Sequence, residues 1–317
     1  MAVTRPNILT SAKALQQYCD GVKKLKTEFT GPTTDQFGIP GDPQQVSTYD
    51  LFVVWHVIAM MTPTPPGQGE RNAAHSGPVF LPWHRFMLRQ LELNLQRVVG
   101  DQTFGLPYWN WAADGEAPAD QQPQSPLWAD SGIGGTGSPI TTGPFVFDPA
   151  DPQSFQVRVE TDSNGDLQQT SRGLNRTLGQ EQGASQLPNK AAAAQVLATT
   201  PYDASPWNRS SASFRNGLEG WSPYGMHNLV HVWVGGDMLP AASPNDPVFF
   251  LNHCNVDRIW EAWMTKNGRV YLPDQSAPAS LKGHRLNDQL FSLISAPTTP
   301  AAVLDSTAQY VYDSLDV

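Results

Sequence analysis

The stretch that decides the fold is MHNLVHVWVGGDMLPAASPNDPVFFLNHCNVDRIW, residues 226–260. It contains His227, His231 and His253, three of the seven histidines in the chain. His227 and His231 are four residues apart in an apolar run, so on a helix both imidazoles leave the same face, one turn apart. After a glycine pair and a turn, His253 lies in a second apolar-periodic segment. Two helices here would direct three neutral nitrogen donors to one point, which suits a borderline or soft transition metal.

A second group of histidines begins upstream of this stretch. YDLFVVWHVIAMM, residues 49–61, carries His56 and is apolar nearly all round. This pattern predicts a buried helix, capped by Ser47 or Thr48. His75 lies in the loop that follows.

His84 completes the upstream group. It stands two residues after Pro82, which suits a helix start, so we predict a helix from there to about residue 99 with His84 in its first turn. Taken singly, each upstream histidine would be an ordinary core or loop residue. Together the two groups hold six of the seven histidines, and no histidine lies in 85–226 or 254–283. This distribution predicts a pair of metal sites.

The remaining histidine and the cysteines add no further metal site. His284 lies in the polar stretch SLKGHRLND and is expected to be solvated. Cys19 and Cys254 are the only cysteines, far apart in sequence, which excludes a disulfide framework and a cysteine-based metal site. Cys254 follows His253, but on a helix it points about 100° away from it, so we expect a buried apolar role.

Length and charge limit the class of protein. A chain of 317 residues can bury a substantial core, and we predict one domain over 1–317. Net charge −9 and a pI near 5.1 argue against nucleic acid as a partner. No 18-residue apolar run is present, so no membrane partner is expected. The N-terminus lacks the apolar core of a secretory signal, which predicts a cytoplasmic protein or one exported without a visible signal.

Between the histidine groups, many loops are expected from the 28 prolines and 26 glycines. Helical spacing over 8–29 places Ser11 as an N-cap. Residues 113–206 are predicted to be a long irregular insertion that covers or borders the site. Short strands at 155–160, 290–294 and 310–313 and a short helix over 190–199 are also predicted.

The sequence resembles the tyrosinase and polyphenol oxidase family of type 3 copper proteins, in the pattern of bacterial tyrosinases. The motifs that carry the resemblance are LPWHRFMLRQLE with the upstream His56 and His75, PYWNW, LEGW with MHNLVHVWVGG, and SPNDPVFFLNHCNVDRIWEAW. They lie within 45–113 and 213–265, about two-fifths of the chain.

The resemblance implies a fold, a cofactor and an activity. The fold is mainly α: an antiparallel four-helix bundle that holds a dicopper centre, with long irregular loops and a few short strands. Two copper ions are implied. The first would be bound by His56, His75 and His84, and the second by His227, His231 and His253. In the family the copper pair uses O2 to hydroxylate monophenols to o-diphenols and to oxidise these to o-quinones. A phenolic small molecule and O2 are therefore the expected partners, and a helper protein that loads copper remains open.

Two further positions match residues that tyrosinases use on a substrate proton. Glu219 lies eight residues before His227, where the family places a glutamate that holds a water, and Asn228 matches the asparagine that polarises it. Together they would help to deprotonate a bound monophenol. From the residues alone, Glu219 would be a solvated acid and Asn228 a partner of nearby backbone. The resemblance therefore favours monophenol hydroxylation.

Some positions depart from relatives. Asn252 stands where many relatives have a histidine before the ligand at 253, which leaves the ligand group intact. Ala73 replaces the cysteine that is thioether-linked to a ligand in fungal and plant enzymes, so no crosslink is expected. The loop 238–243 lacks a large aromatic side chain, which predicts an open entrance. Phe249 is expected to pack against the ligands.

Alternatives remain within and outside this class. A catechol oxidase or o-aminophenol oxidase without monophenolase activity would use the same centre, as would an oxygen carrier of the haemocyanin type. Arg5, Tyr310 and Tyr312 resemble motifs at the end of the family's catalytic domain, and the chain ends within five residues of Tyr312. We therefore expect no C-terminal shielding domain, which favours an active enzyme, or the trimmed core of a longer zymogen, over a carrier. A zinc or iron site in a helical bundle is disfavoured for two reasons. Six histidines without carboxylate ligands do not suit di-iron chemistry, and catalytic zinc keeps only three ligands per metal.

Overall fold

Helices that carry the histidines form the centre of the computed structural model, which describes residues 2–29 and 31–317. The helices are α1 (Ala12–Thr27), α2 (Thr48–Met61), α3 (Phe80–Val99), α4 (Trp111–Asp114), α5 (Lys190–Leu197), α6 (Phe214–Glu219), α7 (Met226–Val234), α8 (Val248–Asn267) and α9 (Pro300–Val303). Short 3₁₀ helices and long loops connect them. The mainly α architecture and the short helix α5 are as the sequence predicts. Within the described ranges, no helix has the length and apolar character that crossing a membrane requires.

Serine caps fix the first two long helices. The Ser11 hydroxyl accepts the N–H of Ala14 at 3.2 Å, and the Ser47 hydroxyl accepts the N–H of Asp50 at 3.0 Å. Each cap gives a partner to an N–H that has none inside the helix, which typically contributes ~1 kcal/mol. Of the two residues proposed to cap α2, Ser47 is the cap and Thr48 is the first helical residue.

The predicted start of α3 is wrong by two residues. The helix begins at Phe80, so Pro82 is its third residue and His84 lies in the second turn. A proline is tolerated there because the first four N–H groups of a helix have no partner within it. The shift places the backbone carbonyl of Phe80 one turn before His84, where it contacts the imidazole.

The long helices pack together through large apolar side chains. Helix α3 packs against α1 and α8, α7 packs against α8, and α1 packs against α2. Trp55, Trp83 and Phe52 are completely buried in this core. Burial of each such side chain contributes roughly 1.5–3 kcal/mol, so the core can hold polar histidines in fixed positions.

Among the described residues, one small sheet joins distant parts of the chain and another is a local hairpin. Strand β1 (Val3–Arg5) pairs in parallel with β4 (Tyr310–Tyr312), and β2 (Val157–Thr161) pairs antiparallel with β3 (Leu167–Arg172). The Arg5 guanidinium carbon lies 3.4 Å from the Tyr310 ring centroid. The resemblance that grouped Arg5 with the Tyr-x-Tyr motif is therefore reflected in direct contact.

The strand predicted at 290–294 is absent from the structure. Instead, the carbonyl of Phe291 accepts the indole N–H groups of Trp55, at 3.2 Å, and Trp83, at 2.9 Å. Because this carbonyl is used by core tryptophans, the segment is held against the helices rather than against another strand. Period-two alternation alone does not reveal such a contact.

The insertion 113–206 packs beside the far end of α7. The backbone N–H of Thr177 donates to the Val234 carbonyl at 3.0 Å. Arg172 in β3 makes an ion pair with Asp237, just after α7, with Nη2 and Oδ1 2.6 Å apart. The insertion thus supports the helix that carries two of the histidines.

Candidate metal centre

The first histidine group converges as the sequence predicts. One ring nitrogen of each of His56, His75 and His84 lies within 4.8 Å of the others, and all three residues are buried. Helices α2 and α3 carry the first and third. His75 lies in the loop between them, where the Asn72 carboxamide oxygen accepts the backbone N–H of His75 at 2.7 Å. This local turn fixes the one ligand that no helix holds.

The second group converges in the same way. One nitrogen of each of His227, His231 and His253 lies within 4.8 Å of the others. The four-residue spacing puts the first two on one face of α7, and α8 presents His253 to them. The placement of His253, which local spacing alone could not fix, therefore follows from the packing of α7 on α8.

The two groups touch and form a single cluster. The rings of His84 and His253 stack with centroids 4.1 Å apart and planes 10° apart. The rings of His75 and His227 have centroids 6.1 Å apart. The cluster can therefore hold two metal ions close to each other.

Backbone carbonyls orient three of the imidazoles. The Nδ1 atom of His56 lies 2.6 Å from the Ala241 carbonyl oxygen. His84 Nδ1 lies 2.7 Å from the Phe80 carbonyl oxygen, and His231 Nδ1 lies 2.8 Å from the Met238 carbonyl oxygen. An N–H at Nδ1 donates to each carbonyl, which leaves Nε2 with its lone pair. These three Nε2 atoms are buried without any hydrogen-bond partner, and a metal ion is what would satisfy them.

The facing Nε2 atoms of His227 and His253 also suit a metal ion. The Nε2 atoms of His227 and His253 are 3.1 Å apart. His227 Nδ1 lies 3.1 Å from the Asn228 side-chain oxygen and 3.2 Å from the Glu219 carbonyl. An N–H on that Nδ1 leaves Nε2 as an acceptor, so a positive ion near both Nε2 atoms would stabilise the arrangement. The residues present fit a metal.

Burial keeps all six imidazoles neutral. It lowers the pKa of His56 to about 3 and that of His231 to about 4. For the remaining four, burial and the neighbouring imidazoles hold the pKa well below its ordinary value. A neutral imidazole offers a lone pair to a metal, so the protein keeps its donors ready for binding.

Aromatic side chains surround the cluster. The Phe249 ring centroid lies 4.2 Å from that of His253 and 5.0 Å from that of His56, which confirms its predicted packing against the ligands. Phe80 also packs against the ligands, with its centroid 4.9 Å from those of His84 and His227. This apolar surrounding restricts water and lowers the local dielectric constant. Phe80 was not predicted from the sequence, because its spacing from His84 resembles any helical core contact.

A cavity of about 270 Å³ reaches the cluster from the surface. Its lining includes His56, His75, His227, His231, Ser76, Asn228, Arg209, Trp221, Tyr224 and Leu239. At its mouth Tyr224 is 55% exposed and Leu239 49% exposed. The loop 238–243 contributes no large aromatic side chain, which agrees with the predicted open entrance. Larger cavities elsewhere, such as one of about 520 Å³ beside β2 and β3, contain no histidine.

The insertion 113–206 borders the site but does not cover this cavity. None of its described residues belongs to the cavity lining. Its residues contact instead the carboxyl end of α7, through Thr177, and Arg215 of α6, through Asp203. Of the two expectations for the insertion, bordering is correct.

Glu219 is buried rather than solvated. It ends α6 and is completely inaccessible. Its Oε1 accepts the backbone N–H of Ser76 at 2.6 Å, and its Oε2 accepts from Arg215 Nη1 at 2.9 Å. Burial raises the pKa of Glu219 above its ordinary value, although Arg215 acts in the opposite direction. The carboxylate therefore lies beside the His75–Ser76 loop, and the backbone carbonyl of the same residue lies 3.2 Å from His227 Nδ1. Burial makes this an environment that favours proton uptake.

Asn228 lies at the cavity wall beside His227. Its side-chain oxygen faces His227 Nδ1, whereas its amide nitrogen is buried without a partner. An unpartnered amide next to a substrate cavity is available to a water or a ligand. The structure thus brings both residues that were carried over from the resemblance to the same side of the cluster.

The prediction for His284 is wrong. Its side chain is completely buried, with Nε2 3.0 Å from the Thr64 carbonyl oxygen. Burial lowers the pKa of His284 to about 3. Its polar sequence neighbours suggested solvent, but the loop folds back over Gly77 and encloses the ring. His284 joins neither histidine group. Cys254 is buried as expected.

Several supporting residues could not be found from the sequence. Glu219 is held by Ser76, which lies in a distant segment of the chain, and by Arg215, which lies on the same helix. The carbonyls that orient imidazoles belong to ordinary residues such as Ala241 and Met238. Only Asn72, three residues before His75, carried a recognisable turn signal.

Comparisons with known proteins agree with this geometry. Residues 46–266 match the family described as tyrosinase, common central domain of tyrosinase. A tyrosinase of Streptomyces antibioticus is 39% identical over 275 residues, covering 85% of this chain and 90% of that protein. A grixazone synthase of Streptomyces griseus is 37% identical over 293 residues, covering 84% of this chain and 90% of that protein.

Solved structures share the fold. A polyphenol oxidase of Thermothelomyces thermophila superposes with a TM-score of 0.73 at 23% identity, covering 99% of this chain and 89% of that one. A functional unit of octopus hemocyanin gives a TM-score of 0.56 at 20% identity, covering 99% of this chain and 69% of that one. At these identities the likeness concerns the fold alone.

Proposed function

The chain belongs to the tyrosinase family, and we propose that within it the protein hydroxylates monophenols to o-diphenols with O2 and oxidises these to o-quinones. As a member of this family it is a copper-dependent phenol oxidase. The observation that carries the proposal is the contact of two buried histidine groups at the end of an open cavity, in a chain 39% identical to a tyrosinase.

The two histidine groups would each hold one copper ion. The proposed ligands are His56, His75 and His84 for one ion, and His227, His231 and His253 for the other. Three neutral imidazoles per ion tolerate both Cu(I) and Cu(II). When bound, the copper pair supplies the redox chemistry toward O2 and the phenol. The protein supplies the fixed donors and the apolar surrounding.

Glu219 and Asn228 are proposed to manage the phenol proton. A monophenol must lose its hydroxyl proton before its oxygen becomes a good metal ligand. Each Glu219 oxygen already accepts one protein hydrogen bond but retains a second lone pair. A water held between this carboxylate and the unpartnered Asn228 amide would receive the proton and pass it to Glu219. The raised pKa of Glu219 favours that transfer.

The cavity suits a single aromatic ring. Its volume of about 270 Å³ is at the small end of ligand pockets, and its wall combines histidines with apolar and amide side chains. A phenol ring can enter with its hydroxyl toward the cluster, while a para substituent points to the mouth.

The experiment compares initial rates on p-cresol and on 4-methylcatechol, with copper-loaded protein and with the same protein after chelation. Oxidation of both compounds by the copper-loaded form only is the expected result. Oxidation of the catechol alone would contradict monophenol hydroxylation. Reversible O2 binding without turnover of either compound would indicate a carrier.

A catechol or o-aminophenol oxidase is the second candidate. The observation in its favour is that the similar relatives are not all named tyrosinase: one, at 37% identity, is named grixazone synthase, so members this similar carry different activities. Adding o-aminophenol to the same rate comparison tests it, because such an enzyme would oxidise o-aminophenol and catechol but leave p-cresol unchanged.

A further inference from the structure

The mouth of the cavity contains one permanently charged side chain. Among the described residues that line the cavity, all but Arg209 are histidines or neutral. Arg209 lies in the loop before α6, and the residue is exposed to solvent. The chain as a whole has a net charge of −9, so a lone cation at this position runs against the overall charge of the protein.

Two contacts hold the Arg209 side chain in place. Its guanidinium carbon lies 4.1 Å from the centroid of the Trp221 ring, a cation–π contact. Its Nε donates to the hydroxyl of Ser76 at 2.9 Å. Ser76 follows His75, so this hydrogen bond ties the guanidinium to the loop that carries a metal ligand and holds it in the lining of the cavity.

The charge of Arg209 is not neutralised by the protein. Within residues 2–29 and 31–317, no carboxylate lies within 4 Å of its side-chain nitrogens, and Nη1 and Nη2 make no hydrogen bond. Other arginines near the site differ: Arg215, for example, pairs with both Asp203 and Glu219. The outer edge of the Arg209 guanidinium is therefore free for a ligand.

We propose that Arg209 is a specificity-determining residue that selects phenols whose para substituent ends in a carboxylate. The free Nη1 and Nη2 edge presents two parallel N–H donors, which match the two oxygens of a carboxylate. A para substituent points to the mouth when the phenol hydroxyl faces the cluster, so its carboxylate reaches the guanidinium. An ammonium group at the same position would be repelled. This inference rests on the proposed function, because the ring must occupy the same cavity.

The test measures kcat/KM of the copper-loaded protein for three para-substituted phenols of equal ring chemistry. They are 3-(4-hydroxyphenyl)propionate, p-cresol and tyramine, whose para substituents are anionic, neutral and cationic, respectively. The expected order of preference is anionic over neutral over cationic. In Arg209→Gln the ratio of kcat/KM for the acid to that for p-cresol should fall about two- to fivefold, a range typical of an exposed ion pair. The change should lie in KM for the acid.

Two further variants separate charge from position. Lys266→Gln removes the same charge from the last turn of α8, thirteen residues after His253 and so about 20 Å away along the helix. It should leave the ratio unchanged. Arg209→Lys keeps the charge and should recover part of the preference. Raising the salt concentration should weaken the wild-type preference, since it screens exposed charges.

The outcomes are distinct. If Arg209→Gln changes kcat/KM for all three phenols by the same factor, Arg209 acts only by holding Ser76, and the proposal is overturned. It is also overturned if the wild-type protein shows no preference for the acid over tyramine. If the copper-loaded protein oxidises none of the phenols, the proposed function fails and this inference fails with it.

Discussion

The Oε1 atom of Glu219 lies 2.6 Å from the backbone nitrogen of Ser76, 143 positions away, and accepts its N–H. Ser76 follows His75, and the Glu219 carbonyl lies 3.2 Å from Nδ1 of His227. One acidic residue thus contacts the supports of both histidine groups. Ser76 also has a φ of 64°, which is rare for a residue other than glycine. The hydrogen bond that the Ser76 N–H donates to Glu219 stabilises that backbone conformation.

Replacing Glu219 with Gln should separate the two activities. The amide oxygen can still accept from Ser76, but the proton acceptor is lost. We expect the rate on p-cresol to fall at least about tenfold more than the rate on 4-methylcatechol, the lower range for general acid–base catalysis. Rates are normalised to copper content. The exposed Glu116 provides a control: Glu116→Gln should change neither rate. A loss that is equal for both substrates would show that Glu219 is purely structural.

Asn228→Ala should affect the same step less severely. The variant removes an unpartnered amide from the cavity wall, while His227 Nδ1 keeps the Glu219 carbonyl as a partner. Copper content should therefore remain unchanged and the monophenol rate should decrease relative to the catechol rate. Parallel metal analysis and initial rates check this. Loss of copper would mean instead that Asn228 is needed to orient His227.

His56→Ala and His284→Ala form a matched pair. Both histidines are buried, but only His56 belongs to a converging group. His56→Ala should lose about one copper ion per chain and nearly all activity, because two ligands per ion bind weakly. His284→Ala should keep both ions, at a cost in stability. Retention of full copper by His56→Ala would contradict the assigned ligand set.

Asp257 is predicted to be important for stability. It accepts from Arg85 Nε at 2.6 Å and from the Tyr310 hydroxyl at 2.7 Å, and Arg5 Nη1 lies 3.3 Å away. Asp257→Asn would leave two buried guanidinium groups without a full counter-charge. Breaking one side of a buried ion pair costs roughly 3–5 kcal/mol. Urea unfolding at neutral pH measures the difference, and a loss below about 1 kcal/mol would contradict the prediction.

The ion pairs of Asp257 also predict that the protein loses stability at acid pH. Burial alone would raise the pKa of Asp257, but Arg85 and Arg5 outweigh it and hold the pKa below its ordinary value; Arg5 does the same for Glu92. A folded-state pKa below the unfolded one means that the unfolded chain binds more protons, so stability increases with pH. The contribution is complete above the unfolded values of about 4 and is lost as pH falls through the folded values. Asp257→Asn should therefore show a shallower decrease in unfolding free energy between pH 5 and 3. An unchanged slope would show that other ionisable groups cause the pH dependence of stability.

The features that the sequence predicted correctly depend on local chemistry. The four-residue spacing of His227 and His231 fixes their common face on any helix. Ser11 and Ser47 are caps because their hydroxyls reach an N–H in the same turn. These relationships hold before tertiary packing forms. The assignment of His253 to the second group, by contrast, came from the family resemblance, because it lies 22 residues after His231.

The features that were missed depend on contacts between distant segments. The burial of His284 depends on a loop that folds over Gly77, and the 290–294 segment is held by Trp55 and Trp83. Arg209 reaches the cavity only because α6 and the preceding loop pack beside the His75 loop. No periodicity in a single sequence encodes such pairings.

The number of copper ions per folded chain tests the dicopper centre most directly. The protein is loaded with copper, unbound metal is removed, and copper is measured by inductively coupled plasma mass spectrometry. We expect two copper ions per chain, one for each histidine group. One ion or fewer per correctly folded chain would contradict the centre described above.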